Sequence, residues 1–169
     1  MDAIQAILSR RSIRKYTSQP VSEVTVKELL QAAMAAPSAG NQQPWHFVVI
    51  RDRQILAEIP RVHPHSSMVP SAQLAILVCG DLQREKHGGY WVQDCSAATQ
   101  NLLLAAHAKG LGAVWLGVYP REDRVTGLRK LAGLPQHVVP LALIPIGYPA
   151  EDKPRAERYD PSRVHQDGW

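Results

Sequence analysis

The stretch from Val92 to Lys109 reads as the longest helix of this chain, and it has almost no polar face. Ala97, Ala98, Leu102, Leu103, Ala105 and Ala106 spread around it before Gly110 closes it. A helix that is apolar on most sides has to be covered on most sides. Central burial within one domain does that, and so does burial against a second copy of the chain. Small residues permit close packing in either arrangement, so the pattern alone leaves both open.

The 169 residues, 45% of them hydrophobic, suffice for one compact domain with a sizeable core and are too few for two ordinary ones. We expect a single domain over 1–150, followed by a polar C-terminal arm over 151–169. Asp2 can cap a first helix in which Ile4, Ile7 and Leu8 share a face. Ser22 can cap a second, with Val26, Leu29, Leu30, Ala33 and Met34 on one stripe and Pro37 ending it. Strands are expected at His46 to Ile50, Leu74 to Cys79, Ala113 to Val118 and Val138 to Ile146, with a short helix from Gln54 to Ile59 and another carrying Val125, Leu128 and Leu131. Pro140 and Pro145 cannot donate to a ladder, which predicts an edge, a bulge or strand ends for them. The apolar strands predict a sheet covered on both faces.

A formal charge of +4 permits an anionic ligand, but no lysine-rich tail or long basic stripe favours nucleic acid. Cys79 and Cys95 fit two reduced, buried thiols of a cytosolic protein. No apolar run approaches the ~20 residues needed to span a bilayer, so no membrane partner and a cytoplasmic location are expected. His63 and His65 flank Pro64 without an acidic or cysteine partner at metal-ligand spacing, so no metal is expected and a place in a pocket wall or facing water is. Neither a glycine-rich dinucleotide fingerprint nor a P-loop follows any strand.

Two segments carry most of the chemistry. Arg10-Arg11-Ser12-Ile13-Arg14 concentrates guanidinium groups whose planar forks match phosphate oxygens and stay charged at any working pH. By itself such a run equally describes a solvated surface or a polyanion contact. Ala36-Pro37-Ser38-Ala39-Gly40-Asn41-Gln42-Gln43-Pro44-Trp45 joins a helix to a strand with small residues that let backbone approach a flat ring, and with amides that serve both donors and acceptors of a heterocycle. A turn-rich connection whose amides satisfy nearby backbone has the same composition.

Together with Gly110-Leu111-Gly112-Ala113-Val114-Trp115-Leu116-Gly117-Val118 and Lys153-Pro154-Arg155, these segments resemble the nitroreductase family of FMN-dependent oxidoreductases, in order and in spacing, over essentially the whole chain. The resemblance implies an α+β (mixed α/β) fold with a central mixed sheet covered by helices on both faces. It also implies an intertwined homodimer built on Asp94 to Gly112, FMN bound at the subunit interface, and NADH or NADPH as reductant. The implied reaction is ping-pong transfer of hydride through flavin to a nitroaromatic, quinone or similar small acceptor.

Carried over residue by residue, the likeness places Arg10, Arg11, Ser12 and Arg14 on the FMN phosphate, ribityl chain and flavin pyrimidine. Lys153 and Arg155 form a second phosphate-binding pair, to which Arg158 adds charge. Pro37, Ser38 and Ala39 contact FMN from the partner subunit, and Asn41 and Gln43 stand beside the isoalloxazine. Val114, Trp115, Leu116 and Gly117 lay their backbone against the flavin, with an amide, that of Leu116 by this mapping, directed at N(5). No side chain is assigned as an acid, base or nucleophile, because the flavin performs the chemistry. Arg14 or Arg10 is the expected positive group near N(1) and O(2).

The departures from the family pattern are specific. His65 and Met68 stand where many members carry Asn and Lys, Leu116 stands where some carry Glu, and the region between Tyr90 and Gln93 lacks a capping excursion. Other expected functions on the same features are reductive dehalogenation, flavin fragmentation, or non-enzymatic binding of flavin or a polyanion. Tyr90 and Trp91 are read as either ligand-stacking or packing residues, Trp45 as core, and Trp169 as docked on the partner or free.

Overall fold

The computed structural model describes residues 1–169. Its helices are α1 (Ala3–Ser9), α2 (Glu23–Met34), α3 (Arg53–Val62), α4 (Trp91–Ala108) and α5 (Glu122–Ala132), and its strands are β1 (Trp45–Ile50), β2 (Leu74–Asp81), β3 (Gly112–Ala113), β4 (Leu116–Gly117) and β5 (Val138–Gly147). The strand order is β1-β2-β5-β3, with β4 also paired to β5. Every pairing of these strands is antiparallel, and the parallel contribution is an isolated bridge from Ser12 to Ala113.

The expected caps form. Asp2 accepts the Gln5 N–H at 2.9 Å, and Ser22 Oγ accepts that of Thr25 at 3.1 Å, each satisfying a donor that the first turn of a helix leaves unpaired. Strand β2 is buried along its whole length because helices cover both of its faces. Leu74, Ile76 and Val78 meet Leu29 of α2 and Leu102 of α4 on one side, and Ala75, Leu77 and Cys79 meet Leu56 of α3 and Leu128 of α5 on the other. Truncating one of these fully buried leucines to alanine would cost about 2–5 kcal/mol, so both layers hold the sheet in place.

One expected strand is divided. The segment Ala113 to Val118 forms two short pieces, β3 and β4, which share a single register on β5: Ala113 lies opposite Ile146, and Leu116 opposite Leu143. Between them Val114 falls opposite Pro145, which has no N–H to give, and the ladder lapses there. Pro140 lies beside the register shift between Val78 and Cys79, the bulge position anticipated for it.

The apolar residues of α1 depart from the usual amphipathic arrangement. Ile4, Ile7 and Leu8 are exposed, and Ala6 alone is buried. Ile7 and Ala6 border an apolar groove of about 480 Å³ whose other walls are Ala32 and Ala35 around the end of α2 and Leu104 and Ala105 of α4. Helix α4 is therefore covered by α2 and the sheet on one side and open on the other. No helix is long and apolar enough to cross a membrane.

Candidate functional site

Helix α1 ends at Ser9, and the chain runs on extended so that Ile13 N–H reaches the Ala113 carbonyl at 3.0 Å. The approach is close: a Cβ on Gly112 would stand 2.5 Å from the Ile13 side chain, so this position has no room for anything but glycine. The far end of the chain returns along the same segment. Thr17 N–H donates to the Tyr148 carbonyl at 2.9 Å, Ala150 N–H to that of Lys15 at 2.9 Å, and Lys153 Nζ to that of Ser12 at 2.7 Å. An Arg11 guanidinium N–H donates to the Pro154 carbonyl.

This doubling back gathers cations. Arg10, Arg11, Arg155 and Arg158 line a cavity of about 360 Å³ with Gln100 and Tyr159. Arg11 and Arg155 also border an adjoining cavity of about 400 Å³ with Lys153 and His107. Two local carboxylates are engaged at the rim, Glu157 with Arg155 at 3.2 Å and Glu151 with Lys153 at 3.2 Å. Arg10, Arg11 and Arg158 have no carboxylate partner. Burial, with the charges of Arg158 and Arg11 added, holds the Arg10 guanidinium below its usual range, and its Nε is buried without a hydrogen-bond partner. Like charges held together in partial burial are stabilised by an anion, and their forks suit phosphate oxygens. Arg14 is exposed, and the structure ties down its backbone, whose N–H donates to Glu151 at 2.6 Å.

His107 faces the second cavity. Ser9 Oγ lies 2.8 Å from His107 Nε2 while donating to the Gln5 carbonyl at 2.6 Å, so His107 is the donor to Ser9. Burial first and the Arg10 charge second lower its pKa, which keeps the imidazole neutral at neutral pH.

The loop from Pro37 to Gln43 is built around a buried acid. Asp94, in the first turn of α4, accepts the Ala39 N–H at 2.9 Å through Oδ1 and the Gln42 side-chain amide at 2.7 Å through Oδ2. Gln42 Oε1 in turn accepts the N–H groups of Lys86 at 2.8 Å and His87 at 3.2 Å. Gly40, Asn41 and Gln43 take left-handed φ values of 53°, 52° and 46°, a conformation costing roughly 1–2 kcal/mol per non-glycine residue that the network must offset. Ser38 Oγ accepts the Gln43 N–H at 3.0 Å, and the Gln43 amide donates to Asn41 at 2.7 Å. Pro37, Asn41 and Gln43 remain exposed, and Ser38 and Ala39 half-buried.

This loop lies at the start of α4, and the arginine region runs along the middle and the far end of the same helix. Asp94 anchors the loop, while Gln100 and His107 border the arginine cavities, about 9 Å and about 20 Å further along the axis at 1.5 Å per residue. The structure therefore joins Arg10, Arg11, Ser12, Lys153 and Arg155 into one region, adds Arg158, and leaves Pro37, Ser38, Ala39, Asn41 and Gln43 at a distance from it within the same chain. Val114 to Gly117 continue from Ala113, the bridge partner of Ser12, so the flavin-facing stretch of the mapping begins beside the cations. Val114 and Leu116 are buried, and Trp115 and Gly117 are half-buried.

Several roles come into view only in three dimensions. His63 is 1% exposed and therefore neither lines an open pocket nor faces water; its Nε2 lies 2.9 Å from the Gly117 carbonyl. Trp91 is a packing residue, buried edge-on against Tyr119 with ring centroids 5.0 Å apart and pressed on Gly80, while Tyr90 is exposed. Trp45 is core, as expected. Asp94 and Gln42 went unread because their partners lie far away along the chain; the available signal was an acid in the first turn of an otherwise apolar helix.

The sequence pattern of the Nitroreductase family matches residues 7–68 and 62–148. The chain belongs to the nitroreductase family. It is 54% identical over 169 residues to a “Putative NADH dehydrogenase/NAD(P)H nitroreductase” of Methanothermobacter thermautotrophicus, covering 100% of this chain and 88% of that protein. A crystal structure of a protein of the same name from Parabacteroides distasonis superposes with a TM-score of 0.95 at 42% identity, over 98% of each chain. A nitroreductase-family structure from Desulfovibrio desulfuricans, solved in complex with FMN, superposes with a TM-score of 0.86 at 33% identity, over 100% of this chain and 99% of that one. These nitroreductase-fold neighbours share the mixed α+β architecture described above.

Proposed function

We propose that this chain is an FMN-dependent NAD(P)H oxidoreductase acting as a homodimer, with each cofactor seated between two copies. The observation that carries the reading is the convergence of Arg10, Arg11, Lys153, Arg155 and Arg158 from both ends of the chain, with the buried Arg10 Nε lacking any protein partner. That donor set fits a phosphate monoester. The FMN complex of the Desulfovibrio relative and the NAD(P)H in the name of the Methanothermobacter one support it.

Arg10, Arg11, Ser12, Lys153 and Arg155 would hold the phosphate and ribityl chain, with Arg14 reaching toward the pyrimidine edge. Val114, Trp115, Leu116 and Gly117 would offer backbone to the ring. Pro37, Ser38, Ala39, Asn41 and Gln43 would come from the second copy, because in their own chain α4 holds them away from the arginines. The apolar groove between α1 and α4 gives that copy a surface to cover. Bound FMN would supply the redox chemistry, a ping-pong transfer of hydride equivalents from NADH or NADPH to a nitroaromatic, quinone or similar small acceptor. The protein's own share is to neutralise the phosphate, fix the ring and leave one face open to both substrates. No side chain at the site is needed as a proton relay or nucleophile.

Anaerobic mixing of the FMN-loaded protein with NADH and, separately, NADPH tests this reading. Bleaching of the flavin's long-wavelength band by at least one of them, and its return on adding a quinone, is the expected result. A loaded protein that neither reductant bleaches would refute the nicotinamide half, and a protein with no affinity for FMN would refute the whole.

A further inference from the structure

We infer that His63 and Arg124 jointly hold the Gly117 carbonyl so that the Gly117 N–H is presented to the flavin ring, making the pair positioning residues for the proposed reaction. The inference rests on the FMN reading above. The Gly117 oxygen accepts from His63 Nε2 at 2.9 Å and from Arg124 Nη1 at 2.9 Å. The two donors approach from different elements, His63 from the C-cap of α3 and Arg124 from the first turns of α5. A carbonyl gripped from two elements by two donors, one of them cationic, has little freedom to rotate.

The register fixes what that grip orients. Gly117 pairs with Ala142, while the next residue, Val118, donates to the Leu141 carbonyl at 3.0 Å. Hydrogen-bonded and non-hydrogen-bonded pairs alternate along an antiparallel ladder, so Gly117 occupies a non-hydrogen-bonded position and turns both its N–H and its C=O away from β5. Leu116, opposite Leu143, occupies a bonded position and turns its N–H into the sheet. Strand β4 has no neighbour but β5, so of its two amides the one free to meet a ligand is that of Gly117 rather than Leu116. The Gly117 N–H shares its peptide plane with the Leu116 carbonyl, which the bonded position turns into β5, and the gripped Gly117 carbonyl fixes the plane that follows; held on both sides, the glycine cannot swing its N–H away.

The histidine is itself held in one form. His63 Nδ1 accepts the His65 N–H at 3.3 Å, which leaves Nε2 as the protonated nitrogen and the donor to Gly117. Arg124 has no carboxylate partner, so its charge is directed at the carbonyl rather than spent on a surface ion pair. Neither residue belongs to the phosphate clamp.

Four proteins decide the matter: wild type, His63→Ala, His63→Gln, whose side-chain amide can replace the Nε2 donor, and Arg124→Met, which keeps the packed stem on half-exposed α5. Each is measured for FMN dissociation constant, flavin midpoint potential and, with glycine-selective 15N labelling, the FMN-induced shift of the Gly117 amide. His63→Ala and Arg124→Met are expected to raise the dissociation constant about tenfold, the change that loss of one such hydrogen bond brings. They are also expected to move the midpoint potential and diminish the Gly117 shift, with His63→Gln restoring all three toward wild type. If His63→Ala fails to fold, Arg124→Met reads the same carbonyl. Unchanged affinity, potential and Gly117 shift in Arg124→Met would overturn the clamp, as would a His63→Gln protein that folds yet behaves no better than His63→Ala. A wild-type protein without affinity for FMN would instead refute the underlying flavin reading, so the two failures are distinguishable.

Discussion

Lys153 Nζ lies 2.7 Å from the Ser12 carbonyl, so a residue near the end of the chain is fastened to the cation-rich segment near its start. That contact turns two separate basic motifs into one site, and it sets the terms for the first test. Arg10→Met should weaken FMN binding about 10- to 100-fold, the cost of losing a charge-assisted contact. The apoprotein should melt no lower, because the substitution removes repulsion from Arg158 and Arg11. Fluorescence titration with FMN and thermal melting of the apoprotein check the two halves. Loss of both affinity and apo stability would mark Arg10 as a structural residue.

The separation of the loop from the clamp along α4 makes a complementation test possible. Arg10→Met/Arg155→Met disables the clamp, and Ala39→Trp blocks the loop. Each homodimer should fail to retain FMN, whereas a mixed dimer should regain one FMN per pair, since one intact clamp then meets one intact loop. A site built within a single chain would stay empty in the mixture. Tandem affinity tags that isolate the mixed dimer, followed by flavin quantification, give the answer.

Asp94→Asn should destabilise the protein by about 1–3 kcal/mol and loosen the loop from Pro37 to Gln43. The carboxylate accepts two N–H donors, from Ala39 and Gln42, and an amide offers a donor where one of them needs an acceptor. Gln42 cannot turn over to compensate, because its own oxygen serves Lys86 and His87. Urea unfolding measures the first effect, and proteolytic nicking near Gly40 the second. Wild-type values for both would remove Asp94 from this role.

His63 and His107 predict loss of stability in mild acid. Burial is the main cause lowering both pKa values below the ordinary 6.5, so at slightly acidic pH the unfolded chain binds protons that the folded one refuses. Stability is then complete above about pH 6.5 and falls as pH drops from there toward the folded-state values. Melting temperature recorded between about pH 7.5 and about pH 5.5 should decline, and it should decline less in His63→Gln and in His107→Gln. A slope untouched by either substitution would assign the acid sensitivity elsewhere.

What the sequence made legible was local. Asp2 and Ser22 announce helix starts because a cap and its target lie within one turn, and Leu74 to Cys79 reads as doubly buried because both faces are written into one short run. The division of β3 from β4 depends on Pro145 falling opposite Val114, a relation between residues far apart in the chain, so the missing donor was readable while its effect was not. The same distance hid the Asp94 and Gln42 network and the bond from His63 to Gly117. The likeness to nitroreductases identified the cationic residues as a group. It could not show that Arg14 is tethered through its backbone while Arg10 holds the unpartnered nitrogen, because that depends on how Glu151 and Arg158 return to the segment.

A site shared between two copies would also tie cofactor retention to protein concentration. If each clamp must borrow its loop from the second copy, then dilution that separates the copies releases both flavins in the same event. FMN would in turn act as glue for such a pair, shifting the monomer–dimer balance by mass action. Scarcity of either the polypeptide or the flavin would then leave the chain monomeric, empty and inactive together.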